Sequence, residues 1–224
     1  MSTDLTLKEK LFILALTKKG SIESSFVGFG LAGAGLLELV QSGKADEQGK
    51  NLILKSSKHT HDAFLDFMID IIYQSRKTRA IRFWVSKFGH KNGRLKQFMK
   101  NSLLDKKVIW KVEKRFLFFT YYRYPLKDET IRNNLKKILK EYIHGKGEGE
   151  VELLFLLCSA IQFYNKIFDN KEDRKRACAK FKELKKKDFV VKGVSDAVQA
   201  VQAAILASTI AVSAVATTAA SAGR

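Results

Sequence analysis

One proline, Pro125, stands in the whole 224-residue chain. Proline ends helices because it lacks an N–H donor and its ring clashes with the preceding turn. A chain with a single proline lets helices run wherever apolar residues recur at helical spacing. The first such run is announced by Thr6-Leu7-Lys8-Glu9. That is a capping box: the threonine hydroxyl accepts the Glu9 N–H while the Glu9 carboxylate reaches back. Leu11–Leu16 follow, and Lys18, Lys19 and Gly20 supply cations and a glycine stop at the C-terminal end.

The same reading predicts a second helix over Leu31–Gln41, stopped at Ser42-Gly43. A third covers Asp62–Tyr73, with Phe64, Phe67, Met68, Ile71 and Ile72 on one side, a fourth about Arg79–Phe88 and a fifth about Gly93–Asp105. Helices are also predicted over Glu129–Ile143 and Glu150–Phe168, joined by the glycine-rich His144–Gly149. A basic helix over Lys171–Lys192 and an alanine-rich one over Ser195–Ala222 complete the series. Strand signals are few. Lys44–Lys50 reads as a loop or hairpin tip before a short strand at Asn51–Lys55, and Val108–Val112 and Phe116–Tyr122 read as a hairpin around Glu113-Lys114-Arg115.

The fold class is therefore mainly α: a single globular domain over residues 1–224, with a helical core and one or two small β-hairpins. Hydrophobic residues make up 46% of the chain, enough for a sizeable core. The stretch 195–222 must be tested as a membrane span, because ~20 predominantly apolar residues suffice for one. Gln199, Gln202, Ser208, Thr209 and Ser213 interrupt it, and Val198, Val201, Ile205, Val212 and Val215 recur at spacings of three and four. That stripe predicts a helix docked on the core.

The net charge of +18 points to an acidic partner: nucleic acid, an anionic membrane leaflet or an acidic protein. Two cysteines, Cys158 and Cys178, suit a reducing compartment, and the polar start with Lys8, Glu9 and Lys10 does not read as a signal peptide. The expected location is cytoplasmic.

Catalytic and metal chemistry find little support. Gly28-Phe29-Gly30-Leu31-Ala32-Gly33 matches G-x-G-x-x-G, yet no strand of a βαβ unit precedes it. A tight turn with close helix packing through Gly33 and Gly35 is the simpler reading. His59-Thr60-His61-Asp62 carries ligand-type residues, but His90 and His144 lie in other segments, and a helix cap explains Thr60 or Asp62 better. No nucleophile has a base in a supporting context. No enzyme activity, cofactor or metal is expected.

Two basic stretches remain, Arg76–Lys100 and Lys171–Lys192. The first interleaves Trp84 and Phe88 with its cations, as interfacial membrane contacts and nucleic-acid surfaces both do. Several segments together resemble the Golgi phosphoprotein 3 family. They are Leu5-Thr6-Leu7-Lys8-Glu9, Gly30-Leu31-Ala32-Gly33 with Leu36-Leu37-Glu38-Leu39, Leu65-Asp66 after Leu52–Leu54, Leu104-Asp105-Lys106-Lys107-Val108-Ile109, and Tyr124-Pro125-Leu126.

The resemblance implies an all-helical core with β-hairpins, a peripheral membrane role, binding of phosphatidylinositol 4-phosphate, and no catalysis. The family's lipid pocket uses a Trp before the glycine turn, an Arg inside G-L-R-G and two basic residues three apart on a later helix. Here Phe26 is the apolar residue of the first loop, Ala32 replaces the Arg, and Gly93 and Lys96 fall at the paired basic positions. The candidate head-group residues are Lys91, Arg94, Lys96 and Lys100, with Phe26 and the backbone N–H groups of the turn at Gly30. The expected partner is an anionic phospholipid membrane. Two alternatives stay open: nucleic acid, bound by a winged-helix-like helix and hairpin at 93–122, and a protein adaptor or scaffold, including a homo-oligomer.

Overall fold

A computed structural model describes residues 4–184. The alanine-rich helix expected at 195–222, and the end of the basic helix expected to reach Lys192, lie outside the described residues. Within them the order is α1 (Leu7–Ala15), α2 (Val27–Gln41), β1 (Ala45–Gln48), β2 (Asn51–Leu54), α3 (Ala63–Ser75), β3 (Arg79–Ala80), α4 (Ile81–Gly89) and α5 (Asn92–Asp105). Then come β4 (Val112–Phe116), β5 (Phe119–Arg123), α6 (Thr130–Ile143), α7 (Glu150–Ala160), α8 (Tyr164–Ile167) and α9 (Lys171–Leu184). The class is as expected: helices around one core, with two small antiparallel sheets.

Helices α1 and α2 form the centre. Both are buried nearly all round, which is why their sequences are apolar rather than striped. α1 packs on α2, α5, α6 and α7, and α2 packs on α3, α4, α5 and α7. Close approach is allowed by glycine: a Cβ on Gly35 would lie 2.5 Å from the Met68 sulfur of α3. Among the described residues no helix is long and apolar enough to cross a membrane.

The local end signals hold where chemistry is local. The Glu9 carboxylate accepts the Thr6 N–H at 2.8 Å. Asp62 caps α3, accepting from the N–H groups of Phe64 (2.9 Å) and Leu65 (3.1 Å), and the Thr60 hydroxyl donates to Asp66 at 2.8 Å. So the His59–Asp62 segment is a helix cap. Among the described residues no group of three or more His, Cys, Asp or Glu could hold a metal.

Four expectations are corrected. α1 stops at Ala15, short of its lysines, because Leu16 bridges Ile22 across a tight turn in which Gly20 has φ of 74°. α2 begins at Val27 rather than Leu31, so the glycine run is helix and not turn. The expected helix Glu150–Phe168 breaks at Gln162 (φ 58°). There the Phe163 N–H reaches the Cys158 carbonyl and the Gln162 N–H the Ser159 carbonyl, a Schellman stop without glycine.

The last correction is one of register. The β4–β5 turn is Leu117-Phe118, not Glu113–Arg115: Phe116 pairs with Phe119 and Val112 with Arg123. Most of this two-stranded ribbon is exposed, so polar residues are as welcome within its strands as at its turn. At the other sheet, β1 and β2 pair across Gly49-Lys50, and β3 adds a short third strand.

Candidate functional site

Helix α5 carries three of the six candidate residues and its N-cap a fourth, and its buried stripe decides where they point. Leu95, Met99 and Leu103, four apart, face the core. Asn92, Lys96 and Lys100 form the adjacent stripe. Its first member abuts the start of α2: a Cβ on Gly28 would lie 2.3 Å from the Asn92 Cβ and 2.8 Å from the Gly89 carbonyl. Its last member, Lys100, holds its ammonium 4.5 Å from the centroid of the Tyr124 ring.

Lys96 and Lys100 are half-buried, one turn apart, and neither has a carboxylate partner among the described residues. Burial lowers the pKa of both, and the Lys100 charge lowers that of Lys96 further. Two cations held together without a counter-ion favour an anion placed between them. The position one turn earlier, Gly93, opens to free space.

The other candidates are distributed differently. Arg94 is two positions from Lys96, hence on the opposite side of the helix. Its guanidinium stacks over Phe67 of α3 (5.4 Å) and over Phe98 (5.5 Å). The structure does not bring Arg94 to the Lys96–Lys100 pair. Lys91 is the exposed N-cap residue of α5. Phe26, the N-cap residue of α2, is half-buried, with its ring 6.4 Å from that of Phe29; Phe29 in turn meets His90 edge-on at 5.5 Å. The start of α2 therefore lies against the α4–α5 junction.

The role given to Gly30 is corrected. It is buried inside α2, and its N–H already donates to the Phe26 carbonyl at 3.3 Å. A Cβ there would meet Leu11 at 2.9 Å and Ile161 at 3.1 Å, so the glycine serves packing against α1 and the α7 end rather than an anion.

Beside the lysine pair rises a feature legible in the sequence as a hairpin but not as a surface. At the turn, Leu117 is 77% exposed and Phe118 97%, with Phe116 and Phe119 also exposed. Lower on the ribbon, cations lie over rings: Lys111 over Tyr122 (4.3 Å), Arg123 over Tyr121 (5.2 Å) and Lys127 over Trp110 (4.1 Å). The ribbon ends at Tyr124, whose N–H donates to the Gly20 carbonyl at 3.0 Å and whose ring underlies Lys100. The apolar tip and the lysine pair thus share one base. An apolar cluster at an exposed tip marks a contact surface. The signal was in the sequence: Phe116-Leu117-Phe118-Phe119 places four apolar residues where a solvated turn would be polar.

A model of the family described as Golgi phosphoprotein 3 (GPP34) matches residues 7–201, which include α1, α2, the lysine-bearing α5, the hairpin and α6 to α9. On that match, the chain belongs to the Golgi phosphoprotein 3 family.

Proposed function

We propose that this protein is a non-catalytic, peripheral membrane-binding module that recognises anionic lipid head groups, phosphatidylinositol 4-phosphate in first place because of its family. One observation carries the reading. The Lys96–Lys100 pair, half-buried and without a carboxylate partner among the described residues, sits at the base of a hairpin whose apolar tip is exposed.

The two parts are complementary at a membrane. Leu117 and Phe118 enter the interface, where burying each large apolar side chain is worth about 1.5–3 kcal/mol. Lys96 and Lys100 hold phosphate oxygens, and each basic residue near an anionic leaflet adds roughly 1 kcal/mol. The cations over Tyr121, Tyr122 and Trp110 sit at the depth of the head groups, where aromatic rings and amines both have partners. Phe26 stands at the α2 start, which lies against the α4–α5 junction. The proposed setting is a cytoplasmic membrane face.

Co-sedimentation with neutral vesicles, phosphatidylserine vesicles and phosphatidylinositol 4-phosphate vesicles of matched charge tests the reading, with Lys96→Ala/Lys100→Ala alongside. Preferential pelleting with the phosphoinositide, lost in the variant, is expected. Equal pelleting with both anionic vesicles reduces the recognition to charge attraction. No pelleting with any vesicle refutes the membrane role, and binding of nucleic acid by the same preparation then takes its place.

A further inference from the structure

Between the Leu16–Ile22 turn and one face of α6 lies a cleft of about 210 Å³. Its floor is Leu14 and Leu16. Its walls are Lys18 from the turn, Arg132, Asn133 and Lys136 from α6, and Lys166 from α8. Residues 129, 132, 133 and 136 recur at helical spacing, so a single helix face supplies most of the wall.

The charges in this cleft do not balance. Four cations face two carboxylates, Glu23 and Glu129. Glu129 is taken up by Arg132, whose guanidinium also donates to the Leu16 carbonyl; Arg132 itself is only 6% exposed. Glu23 reaches Lys166 at 3.9 Å, at the limit of an ion pair. Lys136 donates to the Lys166 carbonyl at 2.9 Å, and neither it nor Lys18 has a carboxylate partner among the described residues. Asn133 adds an exposed amide. A buried, oriented guanidinium flanked by ammonium groups in a concave site is suited to oxyanions, which accept several charge-assisted hydrogen bonds at once. The cleft is also of small-molecule size, and its Leu14 and Leu16 floor is set below the surface.

We propose that this cleft binds a small soluble molecule bearing a phosphate or pyrophosphate group, held by Lys18, Arg132 and Lys136. The site is separate from Lys96 and Lys100 and does not rest on the membrane reading.

Inorganic pyrophosphate is the probe. Titrated into the ¹⁵N-labelled protein, it is expected to give saturable shifts at the amides of Thr17, Lys18 and Asn133. In Lys18→Gln/Lys136→Gln the affinity is expected to fall by about tenfold or more, because two charge-assisted hydrogen bonds to the anion are removed. Pelleting with anionic vesicles stays unchanged in that variant. Lys96→Ala/Lys100→Ala is expected to leave the titration as in the wild type. Should the double glutamine variant melt at a lower temperature, Asn133→Asp, an exposed change that adds repulsion, replaces it. The proposal is overturned by shifts that do not saturate or that survive both cleft variants. It is equally overturned by a response abolished by Lys96→Ala/Lys100→Ala, or by loss of vesicle binding in the cleft variants.

Discussion

Lys8→Met removes a cation that two carboxylates share. The Lys8 ammonium hydrogen-bonds Glu38 and lies 2.8 Å from Asp62; Lys8 is 2% exposed, Glu38 13% and Asp62 34%. Burial opposes the charge on Lys8, yet the two carboxylates win and its pKa is raised. Removing one partner of a buried pair costs about 3–5 kcal/mol, because the other charge is left desolvated. Asp62 is a third exposed and counts for little, so the cost falls on Glu38, and the low end, about 3 kcal/mol at neutral pH, is expected. For a chain of this size that is about 6–12 °C in Tm.

The deficit has a defined pH course. Burial already raises the Glu38 pKa, and loss of Lys8 raises it further. A carboxylate with a raised folded pKa favours the folded state once protonated, so the deficit shrinks as the pH falls from neutral toward the carboxylate range. Lys8 contributes no pH dependence there, because a raised lysine pKa is felt only above its ordinary alkaline value. Urea unfolding followed by the fluorescence of buried Trp84 measures the loss. Lys8→Met/Glu38→Leu is expected to recover most of it, a coupling of about 2 kcal/mol. The unrecovered part is the Lys8 backbone N–H, which Glu38 accepts at 3.1 Å. A loss under about 1 kcal/mol for Lys8→Met, or two single losses that simply add, would refute the buried-charge reasoning.

Other perturbations follow from single sites. Burial raises the Glu9 pKa but the hydrogen bonds from Lys106, Ser102 and Thr6 lower it more, so its stabilisation is present above the ordinary carboxylate pKa and lost as pH falls through the depressed one; Glu9→Gln should flatten the acid limb of a stability–pH curve. Leu117→Ser/Phe118→Ser should leave the melting temperature within the error of an exposed change, about 0.5 kcal/mol, and reduce pelleting with anionic vesicles by about tenfold or more. Gly93→Arg, entering open space beside Lys96, should raise phosphoinositide pelleting by about fivefold, from roughly 1 kcal/mol per added cation. Lys107, exposed with φ of 57° at the α5 stop, should become about 1 kcal/mol more stable as Lys107→Gly, read by thermal melting.

What the sequence disclosed and what it withheld divide along one physical line. The caps at Thr6–Glu9 and Asp62 were legible because donor and acceptor lie within four residues of each other. The α2 start was not, since glycines that read as a turn are helix when Asn92, Leu11 and Ile161 press against them, and those residues lie on three other segments. The hairpin was legible but its register was not, because an exposed ribbon has no buried face to fix the alternation. The burial of Lys8 was not legible, because its two carboxylates lie 30 and 54 residues away.

The candidate site shows the same division within one helix. Lys91, Arg94, Lys96 and Lys100 were grouped by charge and proximity in sequence, which cannot separate the sides of a helix. The buried stripe Leu95, Met99, Leu103 separates them: Lys96 and Lys100 flank it on one side and Arg94 on the other. That stripe was readable from spacing alone, so the exclusion of Arg94 was within reach of the sequence. The convergence of Lys100 with Tyr124 was not. It needs the hairpin to return across the Gly20 turn, a contact between residues more than a hundred positions apart. Charge on a helix can be assigned a side by its own apolar neighbours; what stands opposite that side is decided by the rest of the fold.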